Sequence, residues 1–374
     1  MNLLGMVFCF CMNRFYFVTI IFFLLFSCSS QTKQGDLLEI PVDIHKNDLL
    51  SLQEIAEEIT AIEFELTDES VFNPDYVQNI IISENEVFIA GIQKIYVFSK
   101  DGKFIRTIGS KGQGPGEYLG ISKIALDKKN RRLFISSSPK ILSYDINGNF
   151  LKETRVMSGV IRDINYINEE LLLLVENVYD DNKEVYSRPT LYRLNDELRT
   201  VDSCTIMNYK YASSRLRVHN DFILKEGKSV FLYYGDFTWI RKSNVNLVEK
   251  VFSDTLYRIE NKYIVPELKL KFINSGVNKF INLLNIYRSS RYIFAIYNNA
   301  HSPSTTYYFC YDTKTGKGYN MQDGFTDDIN GIDKRVSIRP FNHDTEMFYY
   351  LHTHIKPGDL EEPNPTLYIG RLKK

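Results

Sequence analysis

The sequence predicts an all-β protein, and within that class a six-bladed β-propeller of four-stranded antiparallel blades. The first observation is a hairpin that occurs twice, at residues 95–104 (IYVFSKDGKF) and 141–150 (ILSYDINGNF), with an Asp-Gly or Asn-Gly turn between two strands. The second is that its aromatic strand recurs about every 40 to 50 residues, which is typical of repeats that each form one blade. The third is composition, because 25 Tyr and 25 Phe against 20 Gly favour strands.

The recurring aromatic strand predicts where each blade lies. Blade 1 is predicted as VQNIIIS, EVFIAG, KIYVFSK and KFIRTIG, from inner to outer strand, and blade 2 repeats this order from residue 121. Only three strands remain for the last blade. Residues 59–67 (ITAIEFELT) alternate apolar and polar side chains, so we expect this N-terminal strand to complete the last blade and close the ring. A β-sandwich is the alternative fold. The aromatic strands are centred on Tyr96, Tyr144, Tyr192, Tyr257, Phe309 and Tyr368.

The N-terminus predicts secretion and membrane attachment. Residues 15–26 (FYFVTIIFFLLF) form an apolar run that is shorter than the roughly 20 residues of a membrane span and is typical of a signal-peptide core. Residues 25–28 (LFSC) resemble a bacterial lipobox, so we expect residues 1–28 to be a lipoprotein signal and Cys28 to carry the lipid. An uncleaved anchor is the alternative, and Met12 is a second candidate start.

The domain prediction follows from these patterns. Residues 29–58 are expected to be a tether with a short amphipathic helix over residues 48–58, because apolar residues stand at positions 49, 52, 55 and 56. Residues 59–374 are expected to form the propeller as one domain. The expected location is the cell envelope, in the outer membrane, with the periplasmic and surface faces both left open.

Charge and cysteine usage exclude several classes of function. With 45 Lys+Arg and 46 Asp+Glu, the net charge of −1 gives no electrostatic reason to expect nucleic acid as a partner. After the N-terminal segment only Cys204 and Cys310 remain, far apart and in no CxxC spacing. We expect them to be small buried side chains, with one long-range disulfide as the alternative.

Three motifs carry a resemblance to a known family. They are residues 112–118 (GQGPGEY), residues 254–259 (DTLYRI) and residues 327–331 (DDING), which Pro340 follows. In this order the sequence resembles NHL-like propellers, specifically the six-bladed β-propeller lipoproteins of Gram-negative gut bacteria, over residues 59–374. The resemblance implies a lipid-anchored propeller. The glycine-rich motif precedes a predicted strand, not a helix N-terminus, so we interpret its glycines as turn residues between blades.

Two clusters are candidate metal sites. His352 and His354 stand at i and i+2, which places both on one face of a strand, and with His343 they could hold zinc or another transition metal. Cross-strand packing is the alternative. Asp327, Asp328 and Asn330 could supply oxygen ligands to calcium, although the segment does not fit the EF-hand register, and a polar loop is the alternative. No cofactor is expected; calcium or a transition metal is the alternative.

Four side chains are candidates for a ligand site at the central channel, namely Arg162, Asp163, His219 and Arg339. Arg162 and Asp163 begin the predicted inner strand of blade 3, and Arg339 begins that of blade 6. The alternative for each is an ion pair between blades. No GxSxG, HExxH or CxxC motif occurs.

These observations favour a non-enzymatic binding function. We expect a membrane-anchored propeller of the cell envelope that binds a glycan, a peptide or an envelope protein. The alternative function is a propeller hydrolase or lyase with a metal near the central channel.

Overall fold

The structure of the protein is a computed structural model. It describes residues 37–156, 159–181, 184–211, 216–218, 222–235, 237–239, 254–260, 263–273, 281–299, 302–341, 344–355 and 362–374. The described chain begins with strand β1 (Leu38–Asp43), helix α1 (Leu52–Ile55) and strand β2 (Ala56–Glu63). No helix in these residues is long and apolar enough to cross a membrane.

Six four-stranded antiparallel blades form a ring, which confirms the predicted fold. The strands of blades 1 to 3 follow one another in sequence, from inner to outer. Blade 1 has β3 (Asn79–Ile82), β4 (Glu86–Ala90), β5 (Ile95–Ser99) and β6 (Phe104–Ile108). After β7 (Ser110–Lys111) and β8 (Glu117–Tyr118), blade 2 has β9 (Lys123–Asp127), β10 (Arg132–Ser137), β11 (Lys140–Asp145) and β12 (Phe150–Arg155). Blade 3 has β13 (Val160–Ile167), β14 (Glu170–Asp181), β15 (Glu184–Leu194) and β16 (Thr200–Thr205), and β17 (Tyr209–Tyr211) pairs with β15.

Blades 4 and 6 each add a strand from the N-terminal part of the chain, whereas the four strands of blade 5 follow one another in sequence. Blade 4 follows β18 (Leu216–Val218) and has β19 (Phe222–Glu226), β20 (Ser229–Tyr233), β22 (Thr255–Glu260) and β23 (Tyr263–Ile273), with β21 (Phe237–Trp239) paired to β18. Blade 5 has β24 (Ile281–Arg288), β25 (Tyr292–Asn299), β26 (Ser302–Asp312) and β27 (Lys317–Gln322). After β28 (Phe325–Asp327) and β29 (Ile332–Val336), blade 6 has β30 (Arg339–Phe341), β31 (Asp344–His352), β32 (Thr366–Leu372) and β2.

The predicted aromatic strand is the third strand of every blade, namely β5, β11, β15, β22, β26 and β32. The predicted closure is also confirmed, because β2 pairs antiparallel with β32, from Ala56 opposite Leu372 to Glu63 opposite Thr366. The end of β2 then meets the turn of blade 1. A Cβ atom on Gly102, which has a φ of +82°, would lie 1.8 Å from the Glu63 carbonyl oxygen, so glycine is required there.

Residues 38–58 differ from the predicted tether and helix. Strand β1 pairs in parallel with β23 as a fifth strand of blade 4, with Ile40 and Val42 fully buried. Residues 46–50 then contact blade 5, where the Asn320 amide nitrogen donates to the Lys46 carbonyl at 2.9 Å. Helix α1 is a single turn with a capping box at Ser51. This segment therefore covers the outer edges of blades 4 and 5 and enters blade 6 as β2, which protects strand edges that would otherwise be open.

The hydrophobic core lies between neighbouring blades. One buried cluster joins blades 1 and 2, a second joins blades 2 and 3, and the others follow around the ring to the cluster between blades 6 and 1. Cys310 belongs to the cluster between blades 5 and 6, and neither it nor Cys204 forms a disulfide. We call the face on which the inner strands begin the top face, and the opposite one the bottom face.

Candidate functional site

Asp163 is the most buried of the predicted ligand residues and joins three blades. It lies on β13 with no exposed surface, and its Oδ1 is 2.7 Å from Nζ of Lys123 on the inner strand of blade 2. Its Oδ2 accepts a hydrogen bond from the Ile223 N–H on the inner strand of blade 4 at 2.6 Å. Burial raises the pKa of the Asp163 carboxyl, and the Lys123 charge opposes that shift. This is the ion pair between blades that the sequence left open as an alternative.

Arg162 points along its own blade. Its guanidinium pairs with the carboxylate of Glu176 on β14, which is 1% exposed. The Ser187 hydroxyl on β15 donates to the same carboxylate at 2.6 Å. Ser187, Glu176 and Arg162 therefore form a row of polar side chains across the top of blade 3. Of the three, only Arg162 is open to solvent.

Arg339 links blade 6 to blade 1. It begins β30, as predicted, and its Nη1 donates to the Val77 carbonyl just before the inner strand of blade 1 at 3.2 Å. Burial raises the pKa of the Tyr349 hydroxyl, while a hydrogen bond with Arg339 opposes that shift. The structure thus places Arg162 and Asp163 at the top of blade 3 and Arg339 at the top of blade 6, each with its own partner. His219 lies outside the described residues, and a shared ligand site of these side chains stays a prediction.

His352 and His354 are neighbours at the top of blade 6. Their ring centroids are 4.6 Å apart and nearly perpendicular. His354 Nε2 is 2.6 Å from the Tyr368 hydroxyl, so this ring has a protein partner. Desolvation lowers the pKa of His352, and the nearby His354 and Lys334 act in the same direction. The lowered pKa favours the neutral form of the His352 imidazole, which is the form that binds metals.

Asp327 uses its carboxylate to fold its own loop. The side chain is buried and accepts hydrogen bonds from the Ile329 and Asn330 N–H groups, from the Asn330 amide and from the Tyr350 hydroxyl. Asp328 is exposed beside it. Within the described residues no group of three His, Cys, Asp or Glu side chains could hold a metal ion. His343 lies outside that part of the chain, so the metal sites stay predictions.

The glycine-rich motif forms a folded linker between blades 1 and 2. Gly109 and Gly116 have φ values of +69° and +74°, as expected of turn glycines. The Lys140 ammonium donates to the Gly114 carbonyl at 3.0 Å and pairs with Glu153 at 3.1 Å. The Glu117 carboxylate accepts from the Gly114 N–H at 2.8 Å. The loop's polar groups are therefore used to hold the linker.

An exposed apolar patch on the top face was not predicted from the sequence. Tyr76, Ile92 and Leu119 have 58%, 42% and 58% of their surface exposed. Two backbone hydrogen bonds hold their segments together, from Gln78 N to Ala90 O at 2.7 Å and from Ile121 N to Ile92 O at 2.7 Å. We call these three side chains the rim patch. The sequence could not predict this patch, because its three residues lie in separate loops and no periodic pattern of apolar residues connects them.

Comparison with known proteins identifies a matching family profile and solved structures with a similar fold. The sequence profile of a family described as a domain of unknown function (DUF4934) matches residues 37–365. A crystal structure of a candidate exported protein from Bacteroides fragilis is similar, with 19% identity, a TM-score of 0.64, and coverage of 90% of this chain and 100% of that one.

A second structure, from the DUF4221 family of Bacteroides vulgatus, has 11% identity and a TM-score of 0.46, with coverage of 85% of this chain and 97% of that one. No curated protein matches the sequence. At 19% identity, the likeness to the Bacteroides fragilis structure shows the fold alone.

Proposed function

The chain belongs to the DUF4934 family, and on that premise we propose that it is a lipid-anchored, non-enzymatic binding propeller of the cell envelope. The proposed ligand is an envelope protein that docks on the rim patch. The location is supported by the signal-like segment that ends at Cys28 and by the likeness to a candidate exported protein.

The rim patch is the observation that carries the binding role. Large apolar side chains that stay exposed on folded loops mark interaction surfaces, and tyrosine is enriched in protein interfaces. Tyr76, Ile92 and Leu119 come from three different segments of blades 1 and 2, yet hydrogen bonds hold those segments side by side. A surface of this kind, shaped by loops and not by a deep cleft, suits a protein partner more than a small molecule.

Photo-crosslinking in intact cells tests the docking surface. A photoreactive residue at Ile92 of the full chain should give one discrete adduct. Leu119→Asp should abolish it, because a charge would be desolvated in the interface. Val201→Asp is the matched control, since Val201 is 61% exposed on the outer strand of blade 3. No adduct at Ile92, or one that Leu119→Asp leaves unchanged, would contradict the proposal.

The anchor has a separate test. Cys28→Ala should remove all metabolic lipid label from the protein and release it from the membrane fraction. If the label persists, the lipobox interpretation is wrong, whereas the docking surface keeps its own test above.

A further inference from the structure

A cleft of about 440 Å³ opens on the bottom face between blades 3 and 4. It lies on the opposite side of the ring from the rim patch, so it belongs to no site described above. Its floor is apolar, formed by Ile167, Leu172 and Val230 of the cluster between these blades. The volume is in the range of small-ligand sites, about 300 to 1,000 Å³.

The charged groups on the rim of the cleft carry a net positive charge. Arg193, Lys228 and Arg258 line it together with Glu170 and Glu260. Arg258 pairs with Glu260 at 2.5 Å and with Glu267 at 3.0 Å, whereas Arg193 lies 3.7 Å from Glu170, which is a loose contact. Among the described residues Lys228 has no ion-pair partner. Its ammonium group on the blade 4 side would therefore attract an anionic group.

The remaining polar groups define the rest of the ligand. Glu170 and Glu260 are half-exposed acceptors that hydroxyl groups could donate to, and the exposed Asn168 and Ser229 can both donate and accept. A second anionic group would meet these carboxylates and be repelled. The floor side chains Ile167, Leu172 and Val230 expose only 3%, 3% and 8% of their surface, so the polar groups of the rim would carry most of the recognition. A hydroxylated ligand with a single acid group satisfies all of these requirements.

We infer that this cleft binds an acidic sugar, with its carboxylate at Lys228 and Arg193 and its hydroxyl groups at Glu170, Glu260 and Ser229. The site goes beyond the proposed protein docking and is independent of it, because it uses other residues on the other face. Two blades build it jointly, so its geometry depends on the packing of blade 3 against blade 4.

Isothermal titration of the purified full chain with a matched pair of disaccharides tests the inference. The first is an aldobiouronic acid, which is one uronic acid joined to one neutral sugar, and the second is its carboxyl-reduced derivative. The acid should bind one to one, and the neutral derivative at least about ten-fold more weakly, because it lacks the charge for Lys228. Affinity for the acid should fall as the salt concentration rises.

Variants then locate the site. Lys228→Ala should weaken the acid about ten-fold and leave the weak binding of the neutral sugar unchanged. Lys314→Ala is the matched control, since Lys314 is an exposed lysine in a bottom-face turn of blade 5. Because both lysines are exposed, we expect both variants to fold, and a difference in affinity between them reports on binding. Absence of binding, equal affinity for the two sugars, or tighter binding of a zwitterionic dipeptide would overturn the inference, as would wild-type affinity in Lys228→Ala.

Discussion

The contacts between neighbouring inner strands, which we call the inner seams, are built differently among blades 1 to 4 and at the junction of blades 5 and 6. Asn79 of blade 1 makes two hydrogen bonds to the backbone of Ile124 in blade 2, at 2.9 and 3.0 Å. Asp163 joins Lys123 of blade 2 to Ile223 of blade 4. Each of these seams is closed by a buried polar side chain that finds its partner on the next inner strand.

Blade 5 has an inner-strand asparagine too, but it lacks this partner. Asn285 is 8% exposed, and within the described residues its Oδ1 accepts no hydrogen bond; the same holds for Oδ1 of Asn298. The inner strand of blade 6 is only Arg339–Phe341, so little backbone faces blade 5 there. Blade 6 instead reaches blade 4, where the Thr345 hydroxyl donates to the Lys225 carbonyl at 3.1 Å.

This difference predicts which seams of the ring are sensitive to substitution. A satisfied buried polar group contributes modestly, but one that loses its partner costs the full desolvation free energy. The seams of blades 1 to 4 should therefore be sensitive to substitution. The seam between blades 5 and 6 already contains unsatisfied groups and should be tolerant. Both proposed binding surfaces lie on blades 1 to 4, where the inner strands are better connected.

The largest expected effect comes from Asp163→Ala. It removes the carboxylate that lies 2.7 Å from the Lys123 ammonium, whose side chain is 12% exposed, and with it the acceptor of the Ile223 N–H. We expect a loss of about 3 to 5 kcal/mol in the free energy of unfolding, measured by urea denaturation.

Lys129→Ala provides the control for that variant. It breaks the Lys129–Glu169 pair, in which both side chains are 70% exposed, and should leave the urea midpoint nearly unchanged. If Asp163→Ala and Lys129→Ala shift the urea midpoint by similar amounts, the buried Asp163 side chain has no special role in joining blades 2, 3 and 4.

Asn79→Ala should have the second largest effect. Both the N–H and the carbonyl of Ile124 would lose their partner in a buried seam, so we expect a loss of about 2 kcal/mol. Hydrogen exchange of the Ile124 amide should accelerate in parallel with the loss in the urea midpoint. Unchanged protection of that amide would mean that the seam is held by apolar packing alone.

The sequence was sufficient to predict the blades because their signal is local. The aromatic third strand and its Asp-Gly or Asn-Gly turn lie within ten residues, and such turns fix the strand register. Closure by β2 could also be predicted, since the last blade lacked a strand. The pairing of β1 with β23 could not, because a parallel partner more than 200 residues away leaves no mark in the local pattern.

The polar residues show the limit of the same reasoning. Arg162 and Asp163 are adjacent in sequence, and their position on the inner strand of blade 3 was predicted. The pairing of this strand with β14 shifts between Ile161 and Asp163, which makes Arg162 the extra residue of a β-bulge. Arg162 then pairs within the blade and Asp163 between blades. The identity of each partner depends on how blades pack. For the same reason the sequence missed the rim patch and the cleft between blades 3 and 4.

Acid should lower the free energy of unfolding through Asp312 of blade 5, by less than the two substitutions above. Arg291 donates to both Asp312 oxygens, at 2.9 and 2.7 Å, and lowers the pKa of this carboxyl to about 2. Because the folded pKa lies below the unfolded one, the stabilisation is complete above about pH 4 and is lost as the pH falls towards 2. We expect wild type to lose about 1 kcal/mol more than Asp312→Asn between pH 5 and pH 2.5, by urea denaturation. Parallel losses would show that Asp312 is not linked to folding.

The smallest effect is expected for Asn285→Ala, and it is the direct counterpart of Asn79→Ala. The same atoms are deleted from an inner strand in both cases, and both side chains are buried. In blade 5 the deleted Oδ1 has no partner within the described residues, so its desolvation penalty disappears with it and offsets the lost packing. The free energy of unfolding should change by less than about 0.5 kcal/mol. A loss of free energy of unfolding equal to that of Asn79→Ala would mean that Asn285 is as firmly hydrogen-bonded as Asn79. Blade 5 would then be held to its neighbours in the same way as blade 1.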